Sequence, residues 1–242
     1  MRAFLVRIGV DQAYGGWNAP VDPNTYQFVY VPIPDSPAKR YSPGCRHRFS
    51  ELAAPLNDFA ERFGANGLRL PTDLGDRVMH LDPDFQYLSY GDNGVRRGAG
   101  IASLQPDDLL VFYAGLRSIF VPRKLVYGLV GLFVVDRVDH AVNVPVKRRP
   151  ENAHTRWTPI SENDVIVQGK AKLSGRFDRC ISIGEWRNRA YRVRPEIEKA
   201  WGGLSVKDGY IQRSGIPPSF LNAEQFYRWF REQRITLSQR NN

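Results

Sequence analysis

The sequence predicts an α+β fold in which a small mixed β-barrel carries appended helices and long loops. Short hydrophobic segments recur between turn residues, glycines interrupt the longest of them, and one strong helical pattern lies near the C-terminus. The 242 residues, of which 42% are hydrophobic, suffice for one large domain with a real core. We predict a single domain over residues 1–242, with N-terminal strands, a barrel core at about 104–195 and a C-terminal helix at about 222–234.

The N-terminal half combines strand and helix patterns with long irregular segments. Strands are predicted at residues 3–10 and 26–33, and a helix at 55–63. Pro32 places the end of the second strand at a sheet edge, and Gly64 can close the helix. Residues 35–49 and 65–103 lack clear periodicity. An irregular segment as long as residues 65–103 is usually functional or disordered. The aromatic residues in this segment favour an ordered structure.

The second half is richer in strand patterns. Strands are predicted at 109–113, 118–121, 125–138, 164–168 and 179–183. Gly128 and Gly131 interrupt the longest, which is typical of a bulge or a barrel corner. Residues 140–163 are predicted to be a polar insertion. In the C-terminal helix, Asn222 can cap the first turn, with Gln225 three residues later.

Charge and composition favour a nucleic-acid or nucleotide binder. The net charge is +9, and arginine supplies most of the 34 basic residues. Arginine suits planar, two-pronged contacts with phosphates and base edges. A codon bias that raises arginine everywhere would give the same composition. Cys45 and Cys180 form no motif, so neither a disulfide framework nor a zinc ribbon is expected. No membrane span and no signal peptide are evident, and we expect a cytoplasmic protein.

The loop at residues 11–20 carries the most information. Tyr14 and Trp17 offer ring faces on which a base can stack, and Gly16 lets the backbone approach a ligand. Asn18 offers a paired donor and acceptor, and Asp11 can accept hydrogen bonds from a base or sugar. Alternatively, this is a tight turn whose tryptophan closes the barrel end.

Two further segments hold candidate chemistry. Arg46 and His47 lie in a basic loop that suits a phosphate or a nucleic-acid backbone, with Cys45 as a possible nucleophile; the alternative is a solvated loop. His80, Asp82 and Asp84 could hold a metal or supply a general acid and base, whereas Asp82-Pro83 could simply start a turn. Because the spacing is not specific, we assign no metal ligand and no cofactor.

Other candidates follow from charge and aromatic residues at strand ends. Tyr90, Asp92 and Arg97 are expected in a ligand loop near the barrel mouth, and Tyr113 with Arg117 at the end of a strand, although Tyr113 could equally be core. Ser174 and Arg176 lie in a strand connection that could bind phosphate. Residues 186–194 interleave basic and aromatic side chains, as nucleic-acid-binding surfaces and solvated strand edges both do.

Two signatures resemble a known family. The first is Val6-Arg7-Ile8-Gly9-Val10-Asp11 with Tyr14-Gly15-Gly16-Trp17-Asn18-Ala19-Pro20. The second is Tyr87-Leu88-Ser89-Tyr90-Gly91-Asp92, followed by Leu104 and Asp107-Asp108-Leu109-Leu110-Val111-Phe112-Tyr113-Ala114-Gly115-Leu116. Together they resemble the third type of nucleotide-modification-associated domain, found beside DNA-modification genes.

The second signature is also similar to the PUA-like superfamily, which includes the EVE, ASCH and YTH modules. The resemblance implies a PUA-like barrel that binds or processes a nucleotide or a modified base, and it implies no catalytic set. The predicted function is recognition of a modified nucleobase in nucleic acid. The alternatives are an enzyme acting on a base or nucleotide through Asp11, His47, His80 and Asp82, and a structural interaction protein. Phosphate-loop, dinucleotide-binding, nucleophile-elbow and zinc-deaminase motifs are absent from the sequence.

Overall fold

The computed structural model describes residues 1–95, 98–212 and 215–242 and shows a mixed α/β fold. Within these residues there are twelve strands, several of them only two residues long. The strands are β1 (Ala3–Arg7), β2 (Pro20–Val21), β3 (Ile33–Pro34), β4 (Met79–His80), β5 (Ser89–Asn93), β6 (Leu109–Ser118), β7 (Leu125–His140), β8 (Asp164–Gly169), β9 (Gly175–Ser182), β10 (Gly184–Arg187), β11 (Ala190–Val193) and β12 (Leu237–Ser238).

The helices are short, and two of them reach ten residues or more. They are α1 (Ala53–Phe63), α2 (Thr72–Gly75), α3 (Ala99–Ala102), α4 (Ala153–Arg156), α5 (Pro195–Ala200) and α6 (Ala223–Glu232). Turns of 3₁₀ helix precede α1, occupy Ala141–Asn143 and Val146–Glu151, and follow α5 at Lys207–Gly209. Gly64 ends α1 in the left-handed conformation with a φ of 64°, as its sequence position predicts.

One sheet of eight strands organises the molecule. Its main path runs β1-β6-β7-β8-β5, with β2 beside β6, β9 beside β7 and β12 beside β9. Strand β1 is parallel to β6, while the β6-β7, β7-β8 and β8-β5 pairs are antiparallel. Among the described residues no strand pairing closes this sheet, so the mixed α/β content is observed but the predicted closed barrel is not.

The centre of the sheet is buried on both faces. Leu110, Phe112 and Ala114 of β6 belong to one hydrophobic core, which also contains α1 residues. The alternate residues Leu109 and Val111 belong to a second core, formed with α5 and α6. Since successive side chains of a strand point to opposite faces, burial on both sides explains why this segment is continuously hydrophobic.

Several predicted elements differ from the structure. In the segment 26–33, residues 28–32 are buried but form no ladder before β3, because their backbone groups bond individually: Val31 O accepts from Val10 N, and Tyr30 N donates to the Asn242 side chain. The strand predicted at 118–121 is wrong beyond Ser118, the last residue of β6, because residues 119–121 form a bend, whereas the strand predicted at 125–138 lies within β7. The insertion at 140–163 contains short helical turns, including α4. Helix α6 lies within the predicted 222–234.

No helix in the described ranges of the chain is both long enough and apolar enough to cross a bilayer.

Candidate active site

Two histidines and an aspartate from distant parts of the chain meet beside strand β5. His80 ends β4, Asp82 follows two residues later, and His154 lies in α4. The Nε2 atoms of His80 and His154 each lie 3.9 Å from Asp82 Oδ2. One ligand atom from each of the three residues falls within 4.8 Å of the others. The sequence separates His154 from the other two by about seventy positions, so only the fold brings them together.

Asp82 is held in place through one of its two carboxylate oxygens. Its Oδ1 accepts hydrogen bonds from the Gly91 amide at 2.8 Å and from Asn152 Nδ2 at 3.0 Å. Asn152 also caps α4, since its side-chain oxygen accepts from the His154 amide at 2.8 Å. The same asparagine therefore fixes both Asp82 and the helix that carries His154, and it leaves Asp82 Oδ2 facing the histidines.

Each histidine has a carboxylate behind it. His154 Nδ1 lies 2.6 Å from Asp164 Oδ2 at the start of β8. His80 Nδ1 lies 3.6 Å from Asp35 Oδ2, and Asp35 also accepts a hydrogen bond from Trp157 Nε1 at 2.9 Å. A carboxylate at Nδ1 favours the tautomer in which Nδ1 carries the proton and the Nε2 lone pair is free.

Trp157 packs against both imidazoles. Its ring centroid lies 5.4 Å from that of His80, nearly parallel to it, and 4.7 Å from that of His154. The two imidazole centroids are 5.1 Å apart. This aromatic wall restricts the ring orientations, because neither histidine can turn without losing contact with Trp157.

Burial shifts the ionisation of the site. The pKa of Asp82 is raised to about 7, chiefly because burial disfavours its charged form. Burial lowers the pKa of His154 and raises that of Asp92. For Asp35, burial is outweighed by His80 and by hydrogen bonds from Tyr41 and Trp157, which hold its pKa at about 2. At neutral pH the site therefore favours a neutral His154 imidazole, and Asp35, behind His80, is ionised.

The three residues open into a cleft of about 730 Å³. Its wall includes part of the first signature loop and the end of β5, and residues of both polar and apolar character face it. The lining side chains beyond the triad include Arg7, Ile8, Asp11, Ala13, Tyr14, Ile33, Tyr90, Asp92 and Asn93. Tyr14 is 57% exposed at this cleft and presents an available ring face. The volume is within the range of small-molecule sites.

The cleft gathers four of the residues assigned to a nucleotide site and three of the alternative catalytic set, with Asp11 belonging to both. They are Asp11, Tyr14, Tyr90 and Asp92, with His80 and Asp82. Asp11 is 3% exposed and already engaged: its Oδ1 accepts from the amides of Ala13 and Tyr14, and its Oδ2 pairs with Arg7. The Tyr90 hydroxyl donates to Asp92 at 2.9 Å. Asp11 therefore shapes the loop, in place of the predicted contact with a base or sugar.

A second, smaller cleft of about 270 Å³ holds another group of assigned residues. Trp17, Asn18 and Arg117 line it together with Arg69 and Arg123. Asn18 Nδ2 donates to the Gly115 carbonyl at 2.7 Å, and Arg117 donates to the Arg123 carbonyl at 3.0 Å. The loop at residues 11–20 lies between the two clefts, since its first half faces one and its second half the other.

The remaining assigned residues lie away from both clefts. Tyr113 is fully buried and donates to the Ile211 carbonyl at 2.7 Å, so it belongs to the core, which was the alternative interpretation. Ser174 is buried and accepts from the Val134 amide at 3.0 Å, which ties the turn before β9 to β7. Arg176 stacks over Phe28 at 5.3 Å.

The basic loop and Asp84 also lie outside the triad. His47 pairs with Glu51 at 3.0 Å and lines a third pocket, while Arg46 is exposed beside Tyr41. Cys45 is buried. Asp84 forms an ion pair with Arg156 at 2.6 Å and is 1% exposed. Gly16 is exposed with a φ of 69°. The assigned Arg97 lies outside the described residues.

Sequence reasoning missed five functional residues: Asp35, Gly91, Asn152, His154 and Asp164. All five lie in segments predicted to be irregular, in the predicted polar insertion or at the start of a predicted strand, where periodicity gives no signal. His154 had one accessible signal, because the chain has only four histidines and each can be tested as a ligand or base.

Comparison with known proteins identifies the family. Neither the curated proteins nor the solved structures contain a match to this chain. The family model described as nucleotide modification associated domain 3 matches residues 2–214. This range includes the loop at residues 11–20, which lies between the two clefts, and all three residues of the His80–Asp82–His154 triad. Because this match covers most of the chain, the protein belongs to the nucleotide modification associated domain 3 family.

Proposed function

We propose that this protein is an enzyme that acts on a base or nucleotide bound in the cleft of His80, Asp82 and His154. The observation that carries the proposal is the convergence of these three side chains on one point, with donor and acceptor atoms left free. Scattered side chains would have argued against catalysis. Family membership supports a nucleotide as the substrate class, since the family is associated with nucleotide modification.

The chemistry of the cleft suits proton transfer at a bound substrate. A buried carboxylate and two imidazoles backed by carboxylates are groups that can donate a proton to a bound substrate or accept one from it. Tyr14 can stack on a base at the rim, whereas the charge of Arg7 in the wall is already paired with Asp11. His47 and Asp84 have no part in this proposal, because each is paired at another place in the fold.

Recognition of nucleic acid is the second candidate function, and the smaller cleft favours it. Three arginines surround the half-buried Trp17 there, and no carboxylate of the described residues forms an ion pair with Arg69, Arg117 or Arg123. Uncompensated guanidinium groups beside an indole suit phosphates and a stacked base. We also propose that this protein reads a modified base and is related to PUA-like domains, which the motif resemblance supports. The two free cysteines support a cytoplasmic location.

The test separates the two clefts. The full chain is incubated with single-stranded DNA, duplex DNA, RNA and a mixture of mononucleotides, and the products are digested to nucleosides and analysed by mass spectrometry. We expect the wild-type chain to change the mass of one nucleoside, Asp82→Asn to abolish that change, and the exposed control Asp136→Asn to retain it. If no nucleoside changes and binding depends only on Arg117 and Arg123, recognition replaces catalysis.

A further inference from the structure

We infer that His80, Asp82 and His154 together bind one divalent transition-metal ion, with zinc or ferrous iron as the fitting class. The role of this ion in turnover rests on the proposed function, but its binding can be measured without any substrate. The inference starts from three atoms that have no hydrogen bond within the described residues: His80 Nε2, His154 Nε2 and Asp82 Oδ2.

The distances suit an ion at the centre of these atoms. Zinc lies about 2.0–2.2 Å from imidazole nitrogen and carboxylate oxygen, so its ligand atoms are roughly 3–3.5 Å apart. The two separations of 3.9 Å between Asp82 and the histidines exceed this by less than about 1 Å, and the widest separation in the group, at most 4.8 Å, exceeds it by less than about 2 Å. Rotation of the Asp82 carboxylate and small shifts of the two rings close the gap.

The outer contacts are those that metal-binding histidines use. A ligating imidazole commonly gives its other ring N–H to a carboxylate, which orients the ring and raises its basicity. Asp164 occupies this place for His154, and Asp35 faces the same nitrogen of His80. The Nδ1 atom of His80 is buried and has no hydrogen-bond partner at the 3.6 Å separation, so a slight ring movement toward Asp35 would satisfy it.

A metal-free nucleophilic site explains this arrangement less well. Histidine backed by aspartate also activates serine, threonine or cysteine, but none of these residue types is among the described residues that line the cleft. Both imidazoles instead point their free nitrogens at the same carboxylate oxygen. Two histidines and one carboxylate on one side of an ion leave the remaining coordination positions open toward the cleft.

The donor set selects the class of ion. Magnesium and calcium prefer oxygen ligands, whereas imidazole nitrogen suits zinc, iron, copper and nickel. An ion here would lie beside Tyr90 and Asp92, with open positions for water or for a substrate atom. It would supply Lewis acidity or an activated water to the chemistry of the cleft.

The experiment measures metal binding by the full chain. Protein stripped with a chelator is titrated with Zn²⁺ by calorimetry and with Co²⁺ by visible absorption. We expect one ion per chain, and a loss of affinity of more than about 100-fold in His80→Gln and in Asp82→Asn, which exceeds the effect of changing an outer contact. The exposed His140→Gln serves as the matched control and should bind as the wild type does.

Asp164 provides a graded test because it is a positioning residue. Asp164→Asn should weaken Zn²⁺ binding about 10- to 100-fold and alter the Co²⁺ spectrum. Thermal unfolding in chelator separates this from a loss of fold: the variant must unfold near the wild-type temperature without metal and gain less from added Zn²⁺. If the triad variants fail to fold, the Co²⁺ spectrum of the wild-type chain still shows whether nitrogen and oxygen ligands bind the ion.

The outcomes distinguish this inference from the proposed function. Turnover by the metal-stripped chain that Asp82→Asn abolishes would refute the ion and preserve the enzyme. One ion bound through the triad, without any change to a nucleoside, would preserve the site and refute the enzyme. No bound ion, or binding that persists in both His80→Gln and Asp82→Asn, overturns the inference.

Discussion

Replacement of Gly91 by alanine should displace His154 while leaving strand β5 paired. A Cβ at this position would lie 2.7 Å from His154 Cγ and 2.8 Å from Asn152 Oδ1, and it would overlap His154 Cδ2. The φ of Gly91 is outside the left-handed region, so alanine brings no backbone strain. The effect of Gly91→Ala is therefore purely one of space.

The size of the effect follows from these contacts. Carbon atoms in ordinary contact are about 3.5–4.0 Å apart, so the imidazole must move by about 1 Å. That movement breaks the 2.6 Å contact with Asp164 and disturbs the Asn152 cap of α4. Overpacking of this kind costs about 1–3 kcal/mol. In a chain of this length each kcal/mol lowers the melting temperature by about 2–4 °C.

The measurement combines urea unfolding with nitrogen NMR of the histidine rings. Gly91→Ala should lower the free energy of unfolding and change the tautomer signal of His154. Gly75→Ala is the matched control, because the Cβ it adds in α2 has no atom within 4 Å. If Gly91→Ala retains wild-type stability and an unchanged His154 signal, the close approach of β5 to α4 described here is wrong.

Three further predictions test other parts of the fold. Arg156→Met leaves Asp84 buried without its partner and should cost about 3–5 kcal/mol in urea unfolding, part of which the double variant with Asp84→Asn regains. For Asp108, burial is outweighed by hydrogen bonds from Gln105 and Arg2, which lower its pKa in the folded state. Its contribution is present above the unfolded pKa of about 3.9 and is lost as pH falls through the folded value, so Asp108→Asn should destabilise the protein at pH 7 and progressively less in acid. Replacing Arg117 and Arg123 together by glutamine should reduce the salt dependence of oligonucleotide binding by about two phosphate contacts in an anisotropy titration, and an unchanged slope would show that the smaller cleft does not bind the backbone.

The sequence predicts well those elements whose signals are local. Helix α1 follows from apolar residues on one face and from Gly64 at its end. Strand β6 follows from a hydrophobic run that is buried on both faces. The segment 26–33 fails for the opposite reason: hydrophobicity reports that Phe28 to Val31 are buried, but it does not report whether a neighbouring strand is present to pair with them.

The candidate site was only half predictable because its other half depends on long-range pairing. His80 and Asp82 stand close in sequence and were recognised as a pair of reactive groups. His154 joins them through the β5–β8 pairing and the hydrogen bond from Asn152 to Asp82, which are long-range contacts that no local pattern encodes. Tyr113 illustrates the reverse error, since an aromatic residue near a strand end has the same local pattern whether it faces a ligand or the core.

The two segments that carry the triad contain only a two-residue strand, β4, and a single helical turn, α4, so contacts beyond regular secondary structure must fix them. The buried ion pair between Asp84 and Arg156 does this, because each partner lies two residues beyond a member of the triad. Asn152 adds a second tie, from the start of α4 to Asp82. Removal of either the Asp84–Arg156 ion pair or the Asn152–Asp82 hydrogen bond would let the two segments separate, and the ligand atoms of the triad would then no longer converge. Asp84, which the spacing grouped with the reactive residues, therefore acts on the site through position alone, and its loss should reduce metal binding and stability together.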